Sequence, residues 1–320
     1  MKKTIALFLL IIASVSFIES QTPGNEPIQF RPPSVPLITH DPYFSIWSPA
    51  DRLTDMETVH WTGTRNPIHS MIRIDGKTYR LMGANPSPIE PMKQLSLKVT
   101  PTSTIYEFGN QNVKVSVNFT SPLLVKDIDI LSRPVTYLTW NVTSLDNKAH
   151  DIQIYFDCSS ELCVNNPEQN ITWDQPDINS LKTARIGSQD QKYLNRSGDN
   201  VRIDWGYIYL AIPKVQNSTV SIAPRNTLFK SFSSSGKLPD AEPFSAPKRV
   251  RDGFISMATV WDLGKTGTAG ASVWAMVAYD DIYSIRYFEN DLQAWWRRTG
   301  LTFDKMLTSA ASNYSKLMSS

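Results

Sequence analysis

Val113, Val115, Val117 and Phe119 alternate with Lys114, Ser116 and Asn118, the period of two that a strand with one buried face imposes. The same period runs through residues 95–99 and 104–108, and Gly109-Asn110 supplies the turn before Val113. Further strands fit residues 135–142, 152–158, 201–212, 219–222, 254–261 and 272–279. Residues 72–81 read as a hairpin, because Asp75-Gly76 suits the positive φ angles of a type I′ turn. Pro86, Pro88 and Pro91 then interrupt any ladder, since proline donates no hydrogen bond. Many strands separated by turns, with no helices between them, predict an all-β fold of antiparallel sheets packed as a sandwich. No internal repeat stands out.

The period changes near Tyr283. Ile285, Phe288, Leu292, Trp295 and Trp296 suit a short helix ended by Gly300. Phe303, Met306, Leu307, Ala310, Tyr314 and Leu317 then recur at steps of three and four, making an amphipathic helix. Its apolar face must be buried against something. Either it lies back on the sandwich or it is the first helix of a further helical domain, and the pattern does not choose.

At the other end, Lys2 and Lys3 precede an uncharged apolar run over residues 4–17, with Ser14, Ser16 and Ser20 near its close. This is the layout of a secretory signal peptide cut after Ser20, with Ser16 as second choice. The run falls short of the ~20 apolar residues of a spanning helix, and no Cys beside it offers a lipid anchor. The expected location is therefore secreted or extracellular, periplasmic in a bacterium, with no membrane attachment after cleavage. Residues 21–36 are proline-rich and polar, an extended lead-in.

Composition narrows the classes. With 41% hydrophobic and 11% aromatic residues the chain can fill a substantial core. A net charge of +2, with Lys248-Arg249-Val250-Arg251 the densest basic run, gives no nucleic-acid face. Cys158 and Cys163 are the two cysteines; in an oxidising compartment they either close a short disulfide or stay as thiols. Six Asn-x-Ser/Thr triplets, at Asn118, Asn141, Asn170, Asn195, Asn217 and Asn313, would accept N-glycans in a eukaryotic secretory pathway.

The four histidines, His40, His60, His69 and His150, form no His-Glu-x-x-His pair and no zinc spacing with Cys. There is no Gly-x-Ser-x-Gly elbow and no glycine-rich phosphate cradle, so neither a metal nor a cofactor is expected. The densest chemistry lies in residues 39–48 and 58–63, where His40, Asp41, His60 and Trp61 stand among aromatic residues. Such a set either walls a pocket for a polar substrate or packs a loop whose polar tips satisfy buried backbone groups.

These stretches, Pro33-Ser34-Val35-Pro36-Leu37-Ile38-Thr39-His40-Asp41-Pro42-Tyr43-Phe44-Ser45-Ile46-Trp47-Ser48, His60-Trp61-Thr62-Gly63 and Ile74-Asp75-Gly76-Lys77-Thr78-Tyr79-Arg80-Leu81-Met82-Gly83, resemble the N-terminal signature of the glutaminase A family. Ile154-Tyr155-Phe156-Asp157, Asp204-Trp205-Gly206-Tyr207 and Ala278-Tyr279-Asp280-Asp281-Ile282, continuing to Trp296, fit its second region. The resemblance implies a supersandwich-like N-terminal β-domain followed by a helical-hairpin domain of the toroid type, and hydrolysis of glutamine to glutamate and ammonia. It divides the chain into a signal peptide (1–20), a signature region (21–100), a sandwich (101–284) and a helical linker or start of the helical domain (285–320). The helix from Phe303 then begins a domain expected in cis, and the chain reads as an N-terminal portion that is inactive without it. Catalytic residues are not carried over; His40, Asp41, His60 and Trp61 are the substrate-proximal candidates. The cysteine pair lies outside the family pattern. A stand-alone carbohydrate- or protein-binding sandwich is the competing reading, motivated by the abundance of Trp and Tyr. A glycosidase-like enzyme would rest on fold analogy alone.

Overall fold

The computed structural model describes residues 31–240 and 245–319, so the expected signal peptide lies outside the described residues. In chain order the strands are β1 (Val35–Thr39), β2 (Ser45–Ser48), β3 (Ile68–Ile74), β4 (Lys77–Met82), β5 (Gln94–Val99), β6 (Ser103–Gly109) and β7 (Val113–Thr120). Helix α1 (Ile128–Leu131) precedes β8 (Val135–Ser144), β9 (His150–Ser159), β10 (Asn170–Asp174), β11 (Leu181–Ser188), β12 (Tyr207–Pro213) and β13 (Ser218–Pro224). Helix α2 (Arg225–Ser235), β14 (Lys248–Arg249), β15 (Ile255–Thr266), β16 (Ala271–Asp280), β17 (Ile285–Tyr287), β18 (Asn290–Leu292), α3 (Phe303–Ser312) and α4 (Tyr314–Met318) complete the order.

Two large sheets carry the fold. One has nine strands in the order β14-β10-β11-β12-β16-β8-β7-β6-β5, the other five in the order β13-β15-β9-β3-β4. Every ladder between these strands is antiparallel. The expected all-β sandwich is what the chain forms. Alternation fills its interior: Val115, Val117, Trp140 and Leu210 of the larger sheet pack with Ile72, Ile154 and Phe156 of the smaller. The intervening positions of β8 point the other way, where Val135 and Tyr137 form a second apolar cluster with Met306, Leu307 and Ala310 of α3. On the outer face of the smaller sheet, Met71, Tyr155 and Val260 receive Leu228, Phe229 and Phe232 of α2. The unit that begins at Pro33 is thus layered helix, sheet, sheet, helix, with central strands buried on both faces.

The Asp75-Gly76 hairpin has φ angles of 48° and 89°, as a type I′ turn requires. The amphipathic segment from Phe303 also forms, capped by Thr302 at its start and broken at Asn313. Its apolar face lies on the larger sheet: Tyr137 donates its hydroxyl to the Ala310 carbonyl at 2.9 Å, and Tyr314 stacks on Trp274 at 4.0 Å. Other expectations fail, among them that no helix interrupts the strands, since α2 lies between β13 and β14. The segment from Ile285 is not a helix but a tight hairpin, β17 against β18, followed by a single 3-10 turn at Trp295–Arg297. Phe288 and Glu289 both adopt positive φ at its tip, so ladder bonds rather than helical ones satisfy this backbone. The strand expected over residues 201–212 is also shorter, beginning at Tyr207.

Of the two states open to the cysteines, the structure holds the thiols. Cys158 and Cys163 are free, buried thiols. Ser159 caps a 3-10 turn over Ser160–Cys163, and this turn aims the Cys163 thiol at the Ser160 carbonyl, 3.3 Å away, instead of at Cys158. Burial raises both thiols, which keeps them protonated and inert. A thiol reagent is therefore expected to modify neither cysteine in the native protein and both after denaturation; no titratable thiol in denaturant would mean that the pair is bonded.

Candidate functional site

The loop between β1 and β2 is held by its own aspartate. Asp41 Oδ1 accepts from the backbone N–H groups of Tyr43 at 2.7 Å and Phe44 at 2.9 Å, an Asx turn that closes the loop. The turn drives the Phe44 ring into the core against Tyr279, 4.6 Å between centroids, while His40 stacks on it at 5.2 Å. His40 Nε2 lies 3.2 Å from Thr136 Oγ1, which is itself 2.8 Å from Ser121 Oγ. Loop residues His40 and Asp41 are thereby fixed to the end of the larger sheet where β7 finishes and β8 begins.

There they line a cavity of about 210 Å³ with Arg133 and Asp281. Asp281 follows the end of β16; its Oδ2 accepts from the Ser284 hydroxyl, while Oδ1 is buried without a hydrogen-bond partner. Arg133, between α1 and β8, leaves Nε and Nη1 buried and unpartnered, and His40 leaves Nδ1 so. The neighbouring Asp280 is not free in this way, since it pairs with Arg297 and accepts from the Ile282 N–H.

Burial sets the charge states. It lowers His40 from 6.5 to about 3, so the ring is neutral. It raises Asp41 from 3.8 to about 6 against the two backbone N–H bonds, with the Asp281 charge adding to the rise. Asp281 is raised too, by burial first and by Asp280 after the Ser284 bond has opposed it. Two carboxyl groups raised by burial thus share one small space with a guanidinium, and carboxyl groups perturbed in this way gather at functional sites.

A second, more open cavity of about 330 Å³ borders the same loop on its other side, between His40, Asp41, Trp47 and Trp61. Trp61 is 54% exposed and pins Pro42 by donating Nε1–H to its carbonyl at 2.7 Å. Of the four candidates, the structure therefore brings His40, Asp41 and Trp61 together. His60 lines neither cavity. It is fully buried, with Nε2 at 3.1 Å from the Pro42 carbonyl and Nδ1 at 2.9 Å from Thr62 Oγ1. Burial lowers it to about 4, and it serves as a neutral brace beneath the loop. Arg133 and Asp281 escape a reading by residue type. Asp281 stands in a motif that carries the family resemblance, whereas Ser132-Arg133-Pro134 looks like any charged loop.

The N-glycosylation triplets fall on the surface at Asn141, Asn170, Asn195 and Asn217 and are partly buried at Asn118 and Asn313. Among the described residues no group of three or more His, Cys, Asp or Glu side chains could hold a metal ion, and no helix is long and apolar enough to cross a membrane. A wider cavity of about 810 Å³ lies between β10 and β13, lined by Trp173, Asn217, Val220 and Ile222. Trp140, Trp205 and Trp261 are in the core and cannot stack on a ligand, whereas Trp61 and Trp295 are exposed.

The domain of unknown function DUF5127 matches residues 102–320. The chain belongs to that family. A second domain of unknown function, DUF4964, matches residues 12–94. Among curated proteins, this DUF5127 member is similar to one named Glutaminase A from Aspergillus oryzae, with 27% identity over 77% of this chain and 36% of the relative. It is also similar to one named probable glutaminase from Arthroderma benhamiae, with 22% identity over 58% of this chain and 24% of that protein. The resemblance to glutaminase A is borne out, and the chain spans about a third and a quarter of the lengths of these relatives. A solved galactose mutarotase related enzyme from Lactobacillus acidophilus is similar at a TM-score of 0.33 and 8% identity, over 81% of this chain and 99% of that one.

Proposed function

We propose that the chain is the β-sandwich portion of a secreted glutaminase A-like amidohydrolase, which converts glutamine to glutamate and ammonia together with a helical-hairpin domain. The observation that carries the reading is similarity to a protein named Glutaminase A over 77% of the chain. The cavity suits a share in such a task, since it offers both signs of charge to a small polar molecule. On this reading the sandwich binds and orients, and the helical domain supplies the groups that attack and protonate the amide. The chain alone is then inactive.

Ammonia and glutamate appearing in equal amounts from L-glutamine measure this directly. A protein extended through the helical domain is expected to release both, and the present chain neither. No release from the extended protein would overturn the glutaminase reading; release by the chain alone would overturn the requirement for the helical domain. In the competing reading, a carbohydrate-binding module, the extended protein would also be inert towards glutamine.

A further inference from the structure

The cavity beneath the β1–β2 loop holds opposite charges that do not satisfy one another. Arg133 has two guanidinium nitrogens, Nε and Nη1, buried with no hydrogen-bond partner, and Asp281 has one carboxylate oxygen in the same condition. Both line the same 210 Å³ space, and no ion pair joins them. Buried polar groups are nearly always partnered, by protein, water or ligand, because leaving one unmade costs free energy. A guanidinium calls for a carboxylate, and a carboxylate for a donor such as an ammonium group. We infer that this cavity is a site for the head of a free α-amino acid, its carboxylate on Arg133 and its ammonium on Asp281.

Four further observations fit. Asp41 lines the same space, so a second carboxyl group can neutralise the ammonium. When His40 Nε2–H donates to Thr136 Oγ1, its unpartnered Nδ1 is an acceptor for a remaining ammonium proton. The rest of the wall includes Leu123, Leu131 and Ala294, apolar surface suited to side-chain methylenes. The volume lies below the ~300–1,000 Å³ of drug-sized pockets, which matches a ligand as small as an amino acid. The inference rests on the glutaminase reading only for the choice of glutamine among amino acids.

Calorimetric titration of the present chain with L-glutamine tests it, alongside two analogues: glutaramate, which lacks the ammonium, and 4-aminobutanamide, which lacks the carboxylate. Saturable binding of L-glutamine is expected, weakened at least tenfold for each analogue and in the Arg133→Gln and Asp281→Asn variants. The analogues are tested on the wild-type protein, so misfolding of a variant cannot decide the outcome. Absence of saturable binding, or equal affinity for the analogues, overturns the site. Binding without hydrolysis by any longer form would uphold the site and defeat the glutaminase reading; hydrolysis by the longer form with no binding here would do the reverse.

Discussion

Asp157→Ala is expected to destabilise the sandwich by about 3–5 kcal/mol, the cost of removing one partner from a buried ion pair. Fully buried His69 lies between two carboxylates, with Nδ1 3.1 Å from Asp157 and Nε2 2.9 Å from Glu57. Tyr155 donates its hydroxyl to the other Asp157 oxygen at 2.7 Å, and Phe229 of α2 meets the imidazole edge-on at 5.0 Å. Burial alone would lower the ring's pKa, but the Asp157 charge and hydrogen bond and the Glu57 carboxylate 2.9 Å away outweigh it and carry it to about 9. His69 is therefore an imidazolium at neutral pH, and alanine at 157 strands it with one partner while depriving Tyr155 of its acceptor. Urea unfolding measures the loss; a change under about 1 kcal/mol, the worth of an exposed pair, would contradict it.

The same cluster sets a pH dependence. His69 is raised from 6.5 to about 9, so its contribution is complete below 6.5 and disappears as pH rises through 9. Glu57 is lowered from 4.5 to about 2, because the adjacent His69 imidazolium and the Asn85 bond overcome burial; its contribution is complete above 4.5 and disappears as pH falls through 2. The stability gap between wild type and Asp157→Ala should accordingly narrow as pH rises towards 9.

Gly206→Ala is the second substitution with a large expected effect, roughly 2–5 kcal/mol from left-handed backbone strain and overpacking together. Gly206 has φ +73°, and a Cβ there would stand 2.1 Å from the Asp280 carbonyl oxygen. That carbonyl cannot step aside, because Tyr207 pairs with Asp280 in the ladder of β12 and β16. Gln191 clamps the same peptide, accepting from the Gly206 N–H at 2.6 Å and donating to its carbonyl at 3.0 Å. Any relief must shift the end of β16, and Asp281 with it, so weaker L-glutamine binding should accompany a lower Tm. A variant that melts with wild type would contradict the close approach.

Strands with one solvated face were legible from residue order, as β7 shows with its valines at every second position. Legibility fell where tertiary contacts decide. The type I′ turn of β17–β18 uses Phe288-Glu289 rather than an Asn-Gly or Asp-Gly pair, so no local signal marks it. Strand β11 is buried on both faces, with Ala184 facing the inter-sheet core and Leu181 the helical side, which blurs its period. Helix α2 follows a proline that offers no side-chain cap. For the site, the Asp41 loop was visible because His, Asp and aromatic residues crowd together there. Arg133 was not, since its significance lies in what it fails to bond, a property of the folded cavity alone.

Hydrolysis of L-glutamine by a protein extended through the proposed helical domain, compared with its Arg133→Gln and Asp281→Asn variants, joins the site to the activity. If the sandwich cavity holds the amino-acid head, wild type releases ammonia and both variants raise KM at least tenfold. Ammonia release with KM unchanged in both variants, or none from wild type, would contradict it.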